Sequence, residues 1–318
     1  MNFKIGEQIL YLSKKDVESI NLSMKDIIDA LEDAIIEKGK NKFEMPPKIG
    51  IHTKTDAFIH AMPCWIPKYS TCGIKWVSGY PENYKLGYPY INGLLILNCT
   101  ETGLPLCVMD CVWITAKRTG AVTGLVAKYL ARRDSEVVGV LGCGVQGRTN
   151  LEALLVTCSN IKKVYAFDII SDNAKKYAKE MEARHNVEVI PVTKQKEAVV
   201  DSDIIVTAAA FSKKQVIEAA WFKEGALGCP VDVDAQWKPE AFHMADKYYV
   251  DDIDQYEYFQ GLGHCTDAPE IDGDIGKLIT KQVKGREKDS ERIISLNIGL
   301  ALEDIAVAQK IYEKAQEM

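Results

Sequence analysis

The sequence lacks the marks of several whole classes of protein. No stretch approaches the roughly 18 consecutive apolar residues that a membrane-spanning helix requires. The opening residues, Met1 to Gln8, carry no apolar segment of the secretory type. Neither export nor a membrane partner is expected. No two cysteines form a C-x-x-C pair. The five histidines (His52, His60, His185, His243 and His264) show none of the short spacings that let a chain grip a metal. A metal cofactor is therefore not expected. Basic residues are outnumbered, 39 Lys and Arg against 45 Asp and Glu, and the net charge of −6 offers no footprint for nucleic acid. There is no internal repeat and no low-complexity linker.

The 318 residues suffice for a large core and two domains. Nine scattered cysteines, an odd number, suit the reduced thiols of a cytoplasmic protein. The most informative stretch is an apolar run, Val137 to Leu141, that leads into Gly142, Gly144 and Gly147 in the spacing G-x-G-x-x-G. A helical segment follows from Asn150, then a second strand, Lys163 to Phe167, that ends on Asp168. Strand, glycine loop, helix, strand and acid in this order spell a dinucleotide site. The glycines let backbone approach a pyrophosphate at a helix N-terminus, with Val145 and Gln146 lying over it. Asp168 can accept hydrogen bonds from ribose hydroxyls and would repel a 2′-phosphate. No arginine follows it closely, so NAD(H) is expected rather than NADP(H).

Strand candidates continue at 187–191, 203–207, 226–231 and 247–252, with helical spacers between them. With the first two, these six predict an α/β fold with a Rossmann doubly wound parallel sheet. Thr207, at the end of the fourth strand, would lie near the bridge of the cofactor. Before the Rossmann segment, Ser23 to Gly39 is an amphipathic helix with Ser23 as its cap and Ile27, Leu31 and Ile35 on one stripe. Strands then recur at about 48–52, 57–62, 72–77, 93–98 and 104–109, the last two joined as a hairpin through Cys99 to Gly103. A long helix runs from about Val112 to Arg132, and the segment from Ile293 to Gln316 reads as helical. The expected division is a mixed α/β substrate-binding and dimerisation domain over 1–125, an NAD-binding domain over 126–292, and a helix over 293–318 that packs back on the first.

Five motifs together resemble the ornithine cyclodeaminase/μ-crystallin family, over nearly the whole chain. They are Gly-Ile-Lys-Trp-Val-Ser-Gly at 73–79, Thr-Ala-Lys-Arg-Thr-Gly-Ala-Val-Thr-Gly at 115–124 and the glycine loop at 141–147. The others are Asp-Ala-Gln-Trp-Lys-Pro-Glu at 234–240 and Asn-Ile-Gly-Leu-Ala-Leu-Glu-Asp at 297–304. The resemblance implies nicotinamide-dependent chemistry on a carbon–nitrogen bond beside a carboxylate, and a homodimer built through the N-terminal domain. It implies that Arg118 binds the substrate carboxylate, which suits a guanidinium fork. Lys75 would be a second cation there with a catalytic part, and Lys48 a third. Thr119, next to Arg118, counts with the cofactor residues, and Asn297 would lie near the nicotinamide carboxamide. Asp234 would be the general acid/base, since the amine must shed a proton and water must be activated.

Two departures bear on the substrate. His60 falls where cyclodeaminases carry a glutamate for the distal amine, and a histidine does not supply that fixed negative charge. Asp232 is an added carboxylate two residues before Asp234. On an extended strand both would point to one face and couple, or jointly receive an amine. Trp237 replaces a small residue and would either narrow the pocket or pack. The favoured expectation is an NAD(H)-dependent amino-acid dehydrogenase or imine/ketimine reductase acting on a small amino or imino acid. The alternatives are an ornithine or lysine cyclodeaminase that recycles its NAD⁺, with Asp232 meeting the distal amine, and a non-enzymatic crystallin-like binding protein.

Overall fold

The computed structural model describes residues 4–209 and 214–317, so the opening Met1 to Phe3 lie outside it. The chain divides into two compact units, Met1–Arg118 with Gly299–Met318, and Thr119–Ile298.

The first unit contains β1 (Leu10–Leu12), α1 (Lys14–Ile20), α2 (Met24–Gly39), β2 (Ile49–Ile51), β3 (Phe58–Trp65), β4 (Thr71–Gly79), β5 (Ile91–Cys99) and β6 (Pro105–Asp110). The strands form one sheet in the order β1-β6-β5-β4-β3-β2, antiparallel except for β1 on β6. Ser23 caps α2 in a reciprocal box with Asp26, and Ile27, Leu31 and Ile35 are fully buried beneath it. β1 and α1 were not anticipated. Three residues are too few for an alternation signal, and α1 declares itself only through a second capping box, Ser13 with Asp16.

The helix α3 (Val112–Leu130) passes through the division between Arg118 and Thr119, earlier than the expected 125/126. The second unit continues with β7 (Val137–Leu141), α4 (Val145–Thr157), β8 (Lys163–Phe167), α5 (Ser171–Arg184), β9 (Glu188–Val192), α6 (Gln195–Val199), β10 (Ile204–Thr207) and β11 (Leu227–Pro230). After these come α7 (Pro239–His243), β12 (Lys247–Val250), α8 (Ile253–Gly261), β13 (Gly273–Asp274), α9 (Ile275–Ile279) and β14 (Ile293–Leu296). All these strands pair in parallel, in the order β13-β12-β14-β11-β10-β7-β8-β9. The near-continuous Val, Ile and Leu of β7, β10 and β14 are those of strands covered on both faces.

One expectation is corrected here. The segment from Ile293 is not helical: Ile293 to Leu296 forms β14, inserted between β11 and β12. All four of its residues are buried, and a short apolar run carries no period that separates strand from helix. Gly299, at φ +91°, breaks the chain before α10 (Ala301–Glu317) begins. α10 belongs to the first unit, where it packs on α2, β3 and β4. Among the described residues no helix is long and apolar enough to cross a membrane.

Candidate functional site

In the second unit the predicted residues gather where the parallel strands end, the usual ligand edge of such sheets. After β7, the amide of Gly142 donates to the Phe167 carbonyl at 2.9 Å. Gly147 must be glycine, because a Cβ there would stand 2.2 Å from the Gly142 carbonyl oxygen. Gly144 caps α4 with no side chain to satisfy the first amides, and Val145 and Gln146 open that helix with Val145 exposed. An uncapped helix N-terminus at a glycine loop is an anion site. Asp168 is fixed beside it. One oxygen accepts from the Cys143 amide at 3.0 Å, the other from the Ile170 amide at 2.9 Å. Lone pairs remain on both oxygens for ribose hydroxyls. Cys143 is a buried filler whose thiol burial pushes up to about 12. Thr119 stands half-buried in α3.

Asn297 follows β14, its amide donating to the Pro230 carbonyl at the end of β11. Its side-chain oxygen lies 3.4 Å from the Ser295 hydroxyl, while Nδ2 is buried with no partner among the described residues. A buried donor left open costs about 1–3 kcal/mol unless a ligand meets it. Together the bare helix end, Asp168 and Asn297 fit a nicotinamide dinucleotide.

The structure corrects the pairing of Asp232 with Asp234. β11 stops at Pro230, and Val233 turns the chain at φ +59°, so the two acids do not share a strand face. Asp232 is buried. It accepts from the Thr207 hydroxyl at 2.6 Å, the Ala209 amide at 2.9 Å and Gln236 Nε2 at 2.7 Å. Burial raises its pKa against these hydrogen bonds, and Asp234 plays no part in that shift. Thr207 is correspondingly turned inward: its hydroxyl serves Asp232 and accepts from Trp237 Nε1 at 3.1 Å, rather than lying open at the strand end. Trp237 packs. It is fully buried against Phe222 and Phe242, with ring centroids 5.4 and 6.0 Å away.

Asp234 is half-buried, and both its oxygens are engaged by consecutive residues. Nδ1 of His264 lies 3.1 Å from one oxygen, and the Cys265 amide donates to the other at 2.9 Å. Burial works to raise the carboxyl, but these hydrogen bonds outweigh it and hold the group below the usual aspartate range. His264 is pushed the other way, upward, by the same hydrogen bond.

In the first unit four predicted residues come together with two unpredicted ones. Lys75, on the buried face of β4, pairs with Asp304 at 2.5 Å. Arg118 donates through Nη1 to Glu303 at 2.7 Å and through Nε to Asp304 at 3.1 Å. Lys48, just before β2, reaches the Gly299 carbonyl at 3.4 Å. A side chain at 299 would put its Cβ 2.5 Å from Arg118 Nη1, so only glycine leaves the guanidinium its place. Burial lowers the Lys75 pKa, partly offset by Asp304, and raises that of Glu303. His60, stacked on Phe58 at 4.2 Å, is lowered to about 4 by burial first, then by Lys48, His52 and Lys75. Lys48, Lys75 and Arg118 thus bring three cationic groups together, with Glu303 and Asp304 among the acids that meet them. Glu303 and Asp304 stood in the quoted motif at 297–304, but the sequence did not say which cations they meet. His264 carried no signal at all, being a single histidine in a loop.

Several known proteins resemble the chain over its length. An alanine dehydrogenase of Archaeoglobus fulgidus is 35% identical over 317 residues, covering 97% of this chain and 95% of that protein. The Δ1-pyrroline-2-carboxylate reductase of Thermococcus litoralis, solved with NADH and L-proline, superposes with a TM-score of 0.89 at 34% identity, covering 97% of this chain and 98% of that one. An archaeal alanine dehydrogenase dimer with bound NAD gives 0.88 at 34% identity, covering 97% and 96%. The model of the ornithine cyclodeaminase/mu-crystallin family matches residues 8–318, and the chain belongs to that family.

Proposed function

We propose that this chain is an NAD(H)-dependent dehydrogenase or imine reductase for a small amino or imino acid that carries no distal amine. The observation that carries this reading is the charge around His60. The cations Lys48, Lys75 and Arg118 gather in the first unit, and such a cluster suits a carboxylate. His60 stays neutral beside them, so a second ammonium on the substrate finds repulsion rather than a partner. Asp232, the residue otherwise available to receive such an amine, is consumed by three internal donors. No observation favours cyclodeamination, nor a crystallin-like role without chemistry.

The second unit supplies the cofactor site through Gly142, Gly144, Val145, Gln146, Gly147, Asp168, Thr119 and Asn297. When bound there, the nicotinamide would supply hydride exchange with the substrate α-carbon. Arg118 and Lys75 hold the carboxylate while Glu303 and Asp304 fix their positions. Lys48 adds charge at the same place. By the family resemblance the substrate nitrogen falls to Asp234, whose carboxyl is held below the usual aspartate range and can accept an N–H. The working form is read as a homodimer in the cytoplasm. An exposed apolar row on the first unit's sheet supports the first point, and nine cysteines outside any disulfide support the second.

The test is a panel read by NADH absorbance: pyruvate with ammonia, Δ1-pyrroline-2-carboxylate, its six-membered homologue, and the reverse reactions of alanine and proline. Ammonia release from ornithine and lysine is measured in parallel. Turnover in the redox panel and none of the diamino acids is expected. Ammonia from ornithine without net NADH change would reverse the reading.

A further inference from the structure

We propose that His264 is the proton-holding partner of Asp234, a positioning residue that fixes the carboxylate's charge state and stores the proton exchanged with the substrate nitrogen. The proposal rests on the placement of Asp234 at the reacting nitrogen given above.

Geometry carries it. Nδ1 of His264 lies 3.1 Å from Asp234 Oδ1, and the Cys265 amide holds Oδ2 at 2.9 Å, so the carboxylate is clamped by one short segment of loop. An ionised carboxylate only accepts, so Nδ1 must carry a hydrogen. Nε2 is then the basic nitrogen of neutral His264, and it meets no described residue. The imidazole is half exposed at 46%, against 22% for Asp234. Its other neighbour is the Phe259 ring, 5.5 Å away between centroids.

The backbone is bent to make this contact. Among the described residues six non-glycine residues have positive φ, and two of them flank the pair: Val233 at +59° before Asp234 and Cys265 at +47° after His264. A β-branched residue in this region is an outlier, costing on the order of 1–3 kcal/mol, and such outliers cluster at functional sites. Val233, with a second positive-φ residue, Cys265, closing on the same carboxylate, is not explained by a loop that merely crosses the surface.

The chemistry follows from the opposed shifts. Asp234 is held below the usual carboxylate range and is a weak base at neutral pH. His264 is raised above the ordinary histidine value by the same hydrogen bond. Among the described residues, Asp234 is the charged group that acts on it. The other ionisable groups packed around the pair, the Cys265 thiol and the Tyr248 and Tyr256 hydroxyls, are all pushed up by burial and stay neutral. In the oxidative direction the substrate N–H bond breaks and an Nε2–H bond forms through intervening water. The imidazolium so made keeps its charge against Asp234. In the reductive direction the same proton returns to nitrogen.

Histidine NMR titrations of the full chain, with and without NADH, are compared with those of Asp234→Asn. The His264 midpoint should lie above the ordinary value and fall back to it in the variant. Steady-state kinetics of His264→Gln should show kcat reduced about 10²-fold, an unchanged KM for the amino acid, and loss of the pH limb that His264 sets. Imidazole in the buffer should restore turnover to His264→Ala. A midpoint that Asp234→Asn does not move overturns the pairing without any activity being needed. If Asp234→Asn abolishes turnover while His264→Gln keeps the wild-type pH profile, the proton role of His264 fails and the proposed function stands.

Discussion

At pH 7 the His60 imidazole is neutral, because burial and the neighbouring Lys48 hold it at about 4. Folding therefore penalises its protonation. Its contribution to stability is complete above the unfolded value of about 6.5, drains away as pH falls from there to about 4, and is constant below. His60→Gln should flatten that part of the acid-destabilisation curve, read by urea unfolding at pH 7, 5.5 and 4. Asp304→Asn should behave differently. It leaves the buried Lys75 ammonium without its carboxylate and should cost about 3–5 kcal/mol in a denaturant melt at any pH near neutral. Lys75 stood out as a cation in an otherwise apolar strand run, and Arg118 through the resemblance of its helix motif to the family. Their partners did not: Asp304 is 186 residues from Arg118, and which buried ions meet is decided by how α10 lies on the sheet. His264 was invisible for a related reason, since its role comes from a loop conformation that has no periodic signature.

Elements built on a period were read well, and elements built on an exception were not. β7, α4 and β8 follow from an apolar run, three glycines and an acid, each with one structural solution. The glycines are demanding, and Gly147→Ala should lower NADH affinity at least tenfold by pushing α4 off the Gly142 carbonyl, with a stability loss of about 1–3 kcal/mol. Fluorescence titration with NADH checks the first and thermal melting the second. The turn after β11 breaks the rule that residues two apart share a face, because that rule assumes extended backbone and Val233 is not extended. The tetrad of β14 reads equally as a buried helix turn, and only its neighbours β11 and β12 decide the matter.

For the molecule as a whole, the first unit's sheet has one face under α10 and α2 and another that remains apolar and open. Ile49, Ala61, Trp76 and Leu94 lie in register across β2 to β5. Ile49, Trp76 and Leu94 are 64%, 45% and 41% exposed. Light scattering should give twice the chain mass, and Trp76→Glu with Leu94→Lys should give a monomer with intact circular dichroism. A single mass for both proteins would remove this surface from the assembly. The late position of β14 has one more consequence, for synthesis. The strand that fills the middle of the second sheet and the helix that brings Glu303 and Asp304 to the first unit both emerge from the ribosome after residue 292. Neither unit can close while earlier residues are being made, so the nascent chain holds two open apolar faces until these segments emerge and is exposed to chaperone demand meanwhile. A chain arrested before Ile293 should be degraded rather than accumulate as a working half.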